Sequence, residues 1–145
     1  VTAAPAVEPI GVVRSTLRRR KNAPRSPADG APAAILEIDE MFAAALHGVE
    51  VGMDLIAVTW LHEGSRDVLQ VHPGRDRSRP LTGVFATRSP DRPNPIGLHR
   101  VTVTAIEPPA RVHVAVLDAI DGTPILDLKI ATGSGEHRGR PNRPL

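Results

Sequence analysis

Residues 83–98 read GVFATRSPDRPNPIGL, and that run rules out more folds than any other stretch of the chain. Pro90, Pro93 and Pro95 each lack a backbone donor and fix φ, so neither a central strand nor a helix can pass through them. Val84 and Phe85 suit a pleated surface. The run therefore starts as a strand and turns into a stiff loop. Asp91 and Asn94, beside prolines, can bond local backbone, and Gly97 admits a close approach that a side chain would block. A preformed loop of this kind loses little entropy when it binds a ligand. It serves equally as a rigid connection between two strands, and spacing alone does not separate the two roles.

Short strands separated by turn signals account for most of the remainder. Alternation and turn residues predict strands over 8–14, 33–38, 54–62, 66–72, 82–87, 99–107, 112–117 and 125–129, with a long loop over 16–32. The strands 54–62 and 66–72 read as a hairpin turning at Glu63, Gly64 and Ser65. One helix is expected over 40–47, capped by Asp39, with Met41, Phe42, Ala45 and Leu46 on its apolar face and Gly48 and Gly52 ending it. Pro108 and Pro109 mark a sharp turn, with Val101, Val103 and Ala105 facing one side of the strand before it. The predicted fold is mainly β: a small single-domain β-barrel of seven to eight short strands with one short helix, spanning 1–129, followed by a polar, mobile tail over 130–145. No glycine-rich strand-to-helix turn or alternation of strands with long helices is present, so a doubly wound nucleotide fold fits poorly. A ligand would be held by loops at a barrel rim or subunit seam.

At 145 residues and 41% hydrophobic composition, the chain suits one domain with one core. It contains no cysteine, which excludes disulfides, thiolate metal sites and cysteine nucleophiles. His47, His72, His99, His113 and His137 show no convergent ligand spacing, so no metal is expected. No apolar run approaches the ~20 residues of a membrane span, and VTAAPAVEP at the start lacks a charged lead into an apolar stretch. No membrane association and a cytoplasmic location are the expectations. The net charge of +2 conceals segregation: 14–25 carry six basic residues and no acidic ones, 26–72 carry eight acidic residues against Arg66, and 73–100 carry six arginines against Asp76 and Asp91. Arginine clusters of this kind suit phosphate contacts, or they form a solvated face.

Four blocks resemble, in order, the TrmO/TsaA family of S-adenosylmethionine-dependent tRNA methyltransferases. They are PIGVVRS at 9–15, NAPRSP at 22–27, WLHE at 60–63, and GVFATRSPDRPNPIGL at 83–98 with LDAIDGTPILDLK at 117–129 after it. The resemblance implies a small β-barrel that forms a homodimer, binds S-adenosyl-L-methionine and methylates N6 of threonylcarbamoyl-adenosine beside a tRNA anticodon. It implies cofactor contacts from Pro24, Arg25, Ser26, His62, Glu63, Arg88, Leu98, Leu117, Asp118 and Thr123. Catalytic roles fall to Arg88, Asp118 and Asp121, and substrate contacts to Arg92, Asn94 and Lys129. Carboxylates suit this cofactor, whose ribose hydroxyls and amino group are donors and whose sulfonium is positive. Asp118, Asp121, Glu63 and His62 are all candidates for the base that takes the N6 proton. By itself, Asp121-Gly122 is also an ordinary hairpin turn signal. The chain departs from the family pattern at His99, where a serine is usual, and after Lys129, where Pro-Tyr is usual. Two other readings remain: a methyltransferase of the same fold acting on a small molecule, and a non-catalytic adenosylmethionine-binding or RNA-binding module.

Overall fold

Among the described residues eight strands form, and six of them close a ring. In this computed structural model, which describes residues 3–24 and 30–132, they are β1 (Gly11–Ser15), β2 (Ala34–Ile38), β3 (Asp54–Trp60), β4 (Gln70–Val71), β5 (Thr82–Gly83), β6 (Ile96–Glu107), β7 (Arg111–Val114) and β8 (Pro124–Ile130). The hydrogen-bonded order β1-β2-β7-β6-β3-β8 returns to β1, and every pairing is antiparallel. Closure leaves no free edge among the six, which removes the usual liability of an exposed strand. β4 and β5 pair only with each other, outside the barrel.

Period-two alternation fills the interior. β3 and the first half of β6 alternate without a break between wall and core. Val13, Leu36, Leu55, Val101, Val112 and Ile125 are almost wholly buried inside. The chain crosses closely at Gly11, where a Cβ would run into the carbonyl oxygen of Glu37 on β2.

Several elements differ from the sequence reading, each for an identifiable reason. Over 66–72 only Gln70–Val71 is strand, and β3 pairs with β6 and β8 rather than with that segment. The backbone that would have made the hairpin is committed elsewhere: Ser65 N–H donates to Asp91 Oδ1 at 2.9 Å, and its carbonyl accepts Arg92 N–H at 2.9 Å. Over 82–87 the strand stops at Gly83, and Val84–Ala86 form a 3-10 turn. The strand expected at 112–117 ends at Val114, since Leu117 N–H turns away to the Pro32 carbonyl.

The helix is a 3-10 helix over Glu40–Leu46, and Asp39 makes no side-chain cap bond. Phe42 and Leu46 pack on the core while Met41 is 81% exposed, because a three-residue turn rotates Met41 off the face that an α-helix would give it. Ala105 is exposed instead of sharing the Val101–Val103 face, since the register with β7 shifts between Val103 and Ala105. The turn at Pro108 and Pro109 contains a cis peptide bond.

Candidate functional site

Three connections leave the same end of the barrel. β1 ends there at Ser15, opposite Ala34 at the start of β2. β3 ends there at Trp60, opposite Ile96 at the start of β6, and β7 ends there at Val114, opposite Ala34. The described parts of the connections 16–33, 61–95 and 115–123 thus crowd one mouth, and the connections carry residues of the motif blocks at 22–27, 60–63, 83–98 and 117–129. The 3-10 helix, the β6–β7 turn and the end of β8 lie at the other end.

Inside the proline-rich loop, Arg92 faces inward. Its Nη1 donates to the carbonyls of Thr87 and Ser89, both at 3.1 Å, and its Nη2 to that of Val84 at 2.9 Å. The fixed fork of a guanidinium can hold three carbonyls of one turn where an ammonium could not. Asn94 is engaged likewise: its Oδ1 accepts from Arg66 Nη2 at 2.8 Å while Arg66 Nε donates to the Pro93 carbonyl at 2.7 Å. The same guanidinium lies 5.3 Å from the centre of the Trp60 ring. Three prolines and two internal arginine clamps therefore make the loop rigid before any ligand arrives.

The connections are also tied to each other. Arg20, on the first, donates to Asp91 Oδ2 at 2.5 Å and to the Glu63 carbonyl at 3.3 Å on the second. Partial burial works to raise the Asp91 pKa, but the hydrogen bonds from Arg20 and Ser65 N–H and the charges of Arg20 and Arg75 outweigh it, and the carboxyl stays below its ordinary value. The third connection reaches the first through Leu117 N–H to the Pro32 carbonyl and Asp121 N–H to that of Leu17, and it reaches β6 through Asp118. It also bonds β1, where Asp121 Oδ1 accepts from Ser15 N–H at 3.0 Å and Gly122 N–H donates to Val13.

At the mouth the barrel interior turns polar. Thr59 on β3 and His99 on β6 both point inward and lie diagonally across the strand pair; each stands directly opposite a small residue, Thr59 facing Gly97 and His99 facing Ala57. His99 Nε2 lies 2.8 Å from Thr59 Oγ1, and His99 Nδ1 lies 2.8 Å from Asp118 Oδ1. Asp118 is the outermost of the three, with 21% of its side chain exposed against 8% for His99 and 0% for Thr59.

The other residues named from the sequence distribute as follows. Arg88 is exposed at the mouth and its Nη2 donates to the Leu98 carbonyl at 3.1 Å. Leu98 points outward from β6, half exposed, while His62 and Glu63 are exposed on the second connection and Pro24 is half-buried on the first. Leu117 and Thr123 are buried, and Thr123 Oγ1 donates to the Ile120 carbonyl at 2.7 Å, so both serve the turn that carries Asp118. Lys129 is not brought to this cluster: it stands on the outer wall toward the opposite end, where its Nζ lies 3.2 Å from Asp127. Arg25, Ser26 and the tail from 133 onward lie outside the described residues. Sequence reasoning gave Thr59 no role, counted Arg20 only within a basic run and Arg66 only as the cation of an acidic stretch, and read His99 as a departure from the family pattern and as no metal ligand. The available signal was parity, since His99 shares its face with Val101 and Val103.

A concavity of about 370 Å³ opens at the far end, lined by Phe42, Leu46, Val49, Met53 and Leu128 with Lys129 at its edge. Its lining is mainly apolar, with His47, Asp127 and Lys129 as its polar side chains, whereas the mouth gathers a carboxylate, a histidine and exposed arginines beside the motif-bearing loops. Among the described residues no group of three or more metal-ligating side chains converges, and no helix is long and apolar enough to cross a membrane.

The class so defined is a small antiparallel β-barrel that presents a preorganised polar mouth to a ligand. The chain belongs to the family described as the tRNA-methyltransferase O N-terminal domain, whose model matches residues 12–132. It is 40% identical over 124 residues to an S-adenosyl-L-methionine-binding protein of Archaeoglobus fulgidus, covering 85% of this chain and 86% of that one. A putative S-adenosylmethionine-dependent methyltransferase of Pseudomonas aeruginosa, RcsF, is 37% identical over 131 residues, covering 85% of this chain and 53% of that one. The crystal structure of TrmO from P. aeruginosa superposes with a TM-score of 0.72 at 28% identity. All of this chain is covered in that superposition, and it spans 62% of the length of that TrmO.

Proposed function

We propose that this protein is an S-adenosyl-L-methionine-dependent methyltransferase acting on N6 of threonylcarbamoyl-adenosine in a tRNA anticodon loop. The observation that carries the reading is the convergence of three motif-bearing loops on one barrel mouth, in a chain most of whose length matches proteins named for adenosylmethionine binding.

The residues present suit that cofactor. Asp118 has one oxygen engaged by His99 and a partly exposed carboxylate, which suits a ligand carrying hydroxyl and amino donors and a positive sulfur. Exposed Glu63 and His62, with Pro24 from the first connection, complete the rim in this reading, and the resemblance adds cofactor contacts from Arg25 and Ser26. Bound there, the cofactor supplies an electrophilic methyl group for in-line displacement.

What the chain must add is alignment and removal of one proton. Asp118 is the base we assign, because it is held by the ring of buried His99 while part of its carboxylate stays open to the mouth. Asp121 supports the turn through Ser15. Arg88 orients the acceptor, and Phe85, 84% exposed on the same loop, offers a face for base stacking. Arg92 and Asn94 act by keeping that loop in shape. The arginine-rich first connection contacts phosphate, and two copies of the chain pair into a dimer.

Calorimetric titration with S-adenosylmethionine, then with unmodified and threonylcarbamoylated tRNA at two salt concentrations, tests this. Binding of cofactor and of modified tRNA, the latter weakening as salt rises, is expected. Cofactor binding without tRNA affinity would transfer the assignment to a small-molecule acceptor, and no cofactor binding would overturn it.

A further inference from the structure

We propose that Thr59 and His99 form a buried hydrogen-bonded chain that positions the Asp118 carboxylate toward a donor-bearing ligand at the barrel mouth. The inference rests on reading Asp118 as part of the ligand site. An arrangement of hydroxyl, imidazole and carboxylate invites comparison with a nucleophilic triad, but Thr59 is wholly buried inside the barrel. A hydroxyl with no open face cannot attack a substrate, so the chain works in the opposite direction, outward through Asp118.

Hydrogen-bond chemistry sets the polarity. An ionised carboxylate only accepts, so His99 Nδ1 carries the proton donated to Asp118 Oδ1 at 2.8 Å. In the neutral ring Nε2 then accepts, and the Thr59 hydroxyl 2.8 Å away is its donor. This fixes the ring's tautomer and its rotation, and with them the plane of the carboxylate, leaving Oδ2 for a partner outside the protein. A histidine anchored at one nitrogen so that the other can orient a neighbour is a recurring device in functional sites.

A second observation points the same way. A Cβ at Gly97 would come within 2.6 Å of Thr59 Oγ1 and 2.7 Å of His99 Nε2. The glycine that ends the signature loop is thus the residue that makes room for the Thr59–His99 contact. Small Ala57, opposite His99 on β3, leaves the space into which the imidazole leans. A purely apolar core would need neither gap.

The test compares two amides at one position. His99→Asn keeps a donor near the place of Nδ1, whereas His99→Gln puts its amide at the place of Nε2 and leaves Asp118 unheld. Calorimetry with S-adenosylmethionine should give a Kd for His99→Asn within about threefold of wild type, and a loss of about tenfold or more for His99→Gln, at matched thermal midpoints. Nitrogen-15 spectra of the wild-type protein should show the His99 ring protonated at Nδ1, with Thr59→Val shifting the balance between tautomers. Equal affinity of the two amide variants, or a ring protonated only at Nε2, would overturn the inference while leaving the methyltransferase reading intact. Absence of cofactor binding by the wild type would overturn both, so the two failures are distinguishable.

Discussion

At the scale of single residues, the mouth is built from groups whose partners are set by geometry rather than by charge alone. Gly97 is the sharpest case. Thr59 cannot give way because it is wholly enclosed, so Gly97→Ala should overpack the barrel and destabilise it by about 2 kcal/mol, read as a lower denaturant midpoint with an unchanged slope. The two arginines of the signature loop should behave differently from each other. Arg92→Ala takes the guanidinium from the Thr87 and Ser89 carbonyls and leaves that of Val84 only its bonds from Thr87, and it should cost about 2 kcal/mol of stability. Arg88→Ala removes one exposed bond, so its stability should change by less than about 0.5 kcal/mol while tRNA affinity or turnover falls. Thermal unfolding of both variants beside a binding assay separates a scaffold arginine from a working one.

At the scale of elements, the latch between the first and second connections carries a pH signature. The folded-state pKa of Asp91 lies below its ordinary value of 3.8, so the folded protein holds on to this proton less than the unfolded chain does. The stability it contributes is complete above that ordinary value and disappears as pH falls through the depressed one. Asp91→Asn should therefore cost about 1 kcal/mol at neutral pH and flatten the acid limb of the stability curve, measured by denaturant titration between neutral pH and the acid transition. The limb will not vanish. Asp54 is held low by the Thr102 hydroxyl and by Arg100, and Glu107 chiefly by its hydrogen bond with His113; both remain in the variant. Asp91 also bears on the hairpin expected to turn at 63–65. It accepts Ser65 N–H while the Ser65 carbonyl takes Arg92 N–H, and a backbone group already paired there is lost to a hairpin ladder.

At the scale of the whole molecule, the outer face of β6 is the surface that asks for a partner. Ile96 is 44% exposed and Leu98 50%, and in the proposed dimer a two-fold pairing would cover this patch on both copies. Light scattering should give the mass of a dimer for the wild type and of a monomer for Ile96→Glu, with the circular dichroism spectrum unchanged. The fold class was legible from the chain because its evidence is local: prolines stop strands, period-two alternation marks walls, and glycines mark turns whatever the rest of the chain does. The motif blocks were legible for the same reason. What local signals do not carry is which segments meet. The ring order β1-β2-β7-β6-β3-β8, the gathering of three loops at one mouth and the removal of Lys129 to the far wall follow from closing the barrel. His99 shows the limit most plainly: as a letter it was a departure from a pattern, and only the register that sets it against Ala57, beside Thr59 and beneath Asp118, makes it part of a site. Sequence determined the pieces and their stiffness, because backbone sterics act within a few residues. Tertiary structure decided the chemistry of the mouth, because hydrogen bonds there join residues 40 positions apart in one case and 19 in the other, and no local preference encodes such a distance.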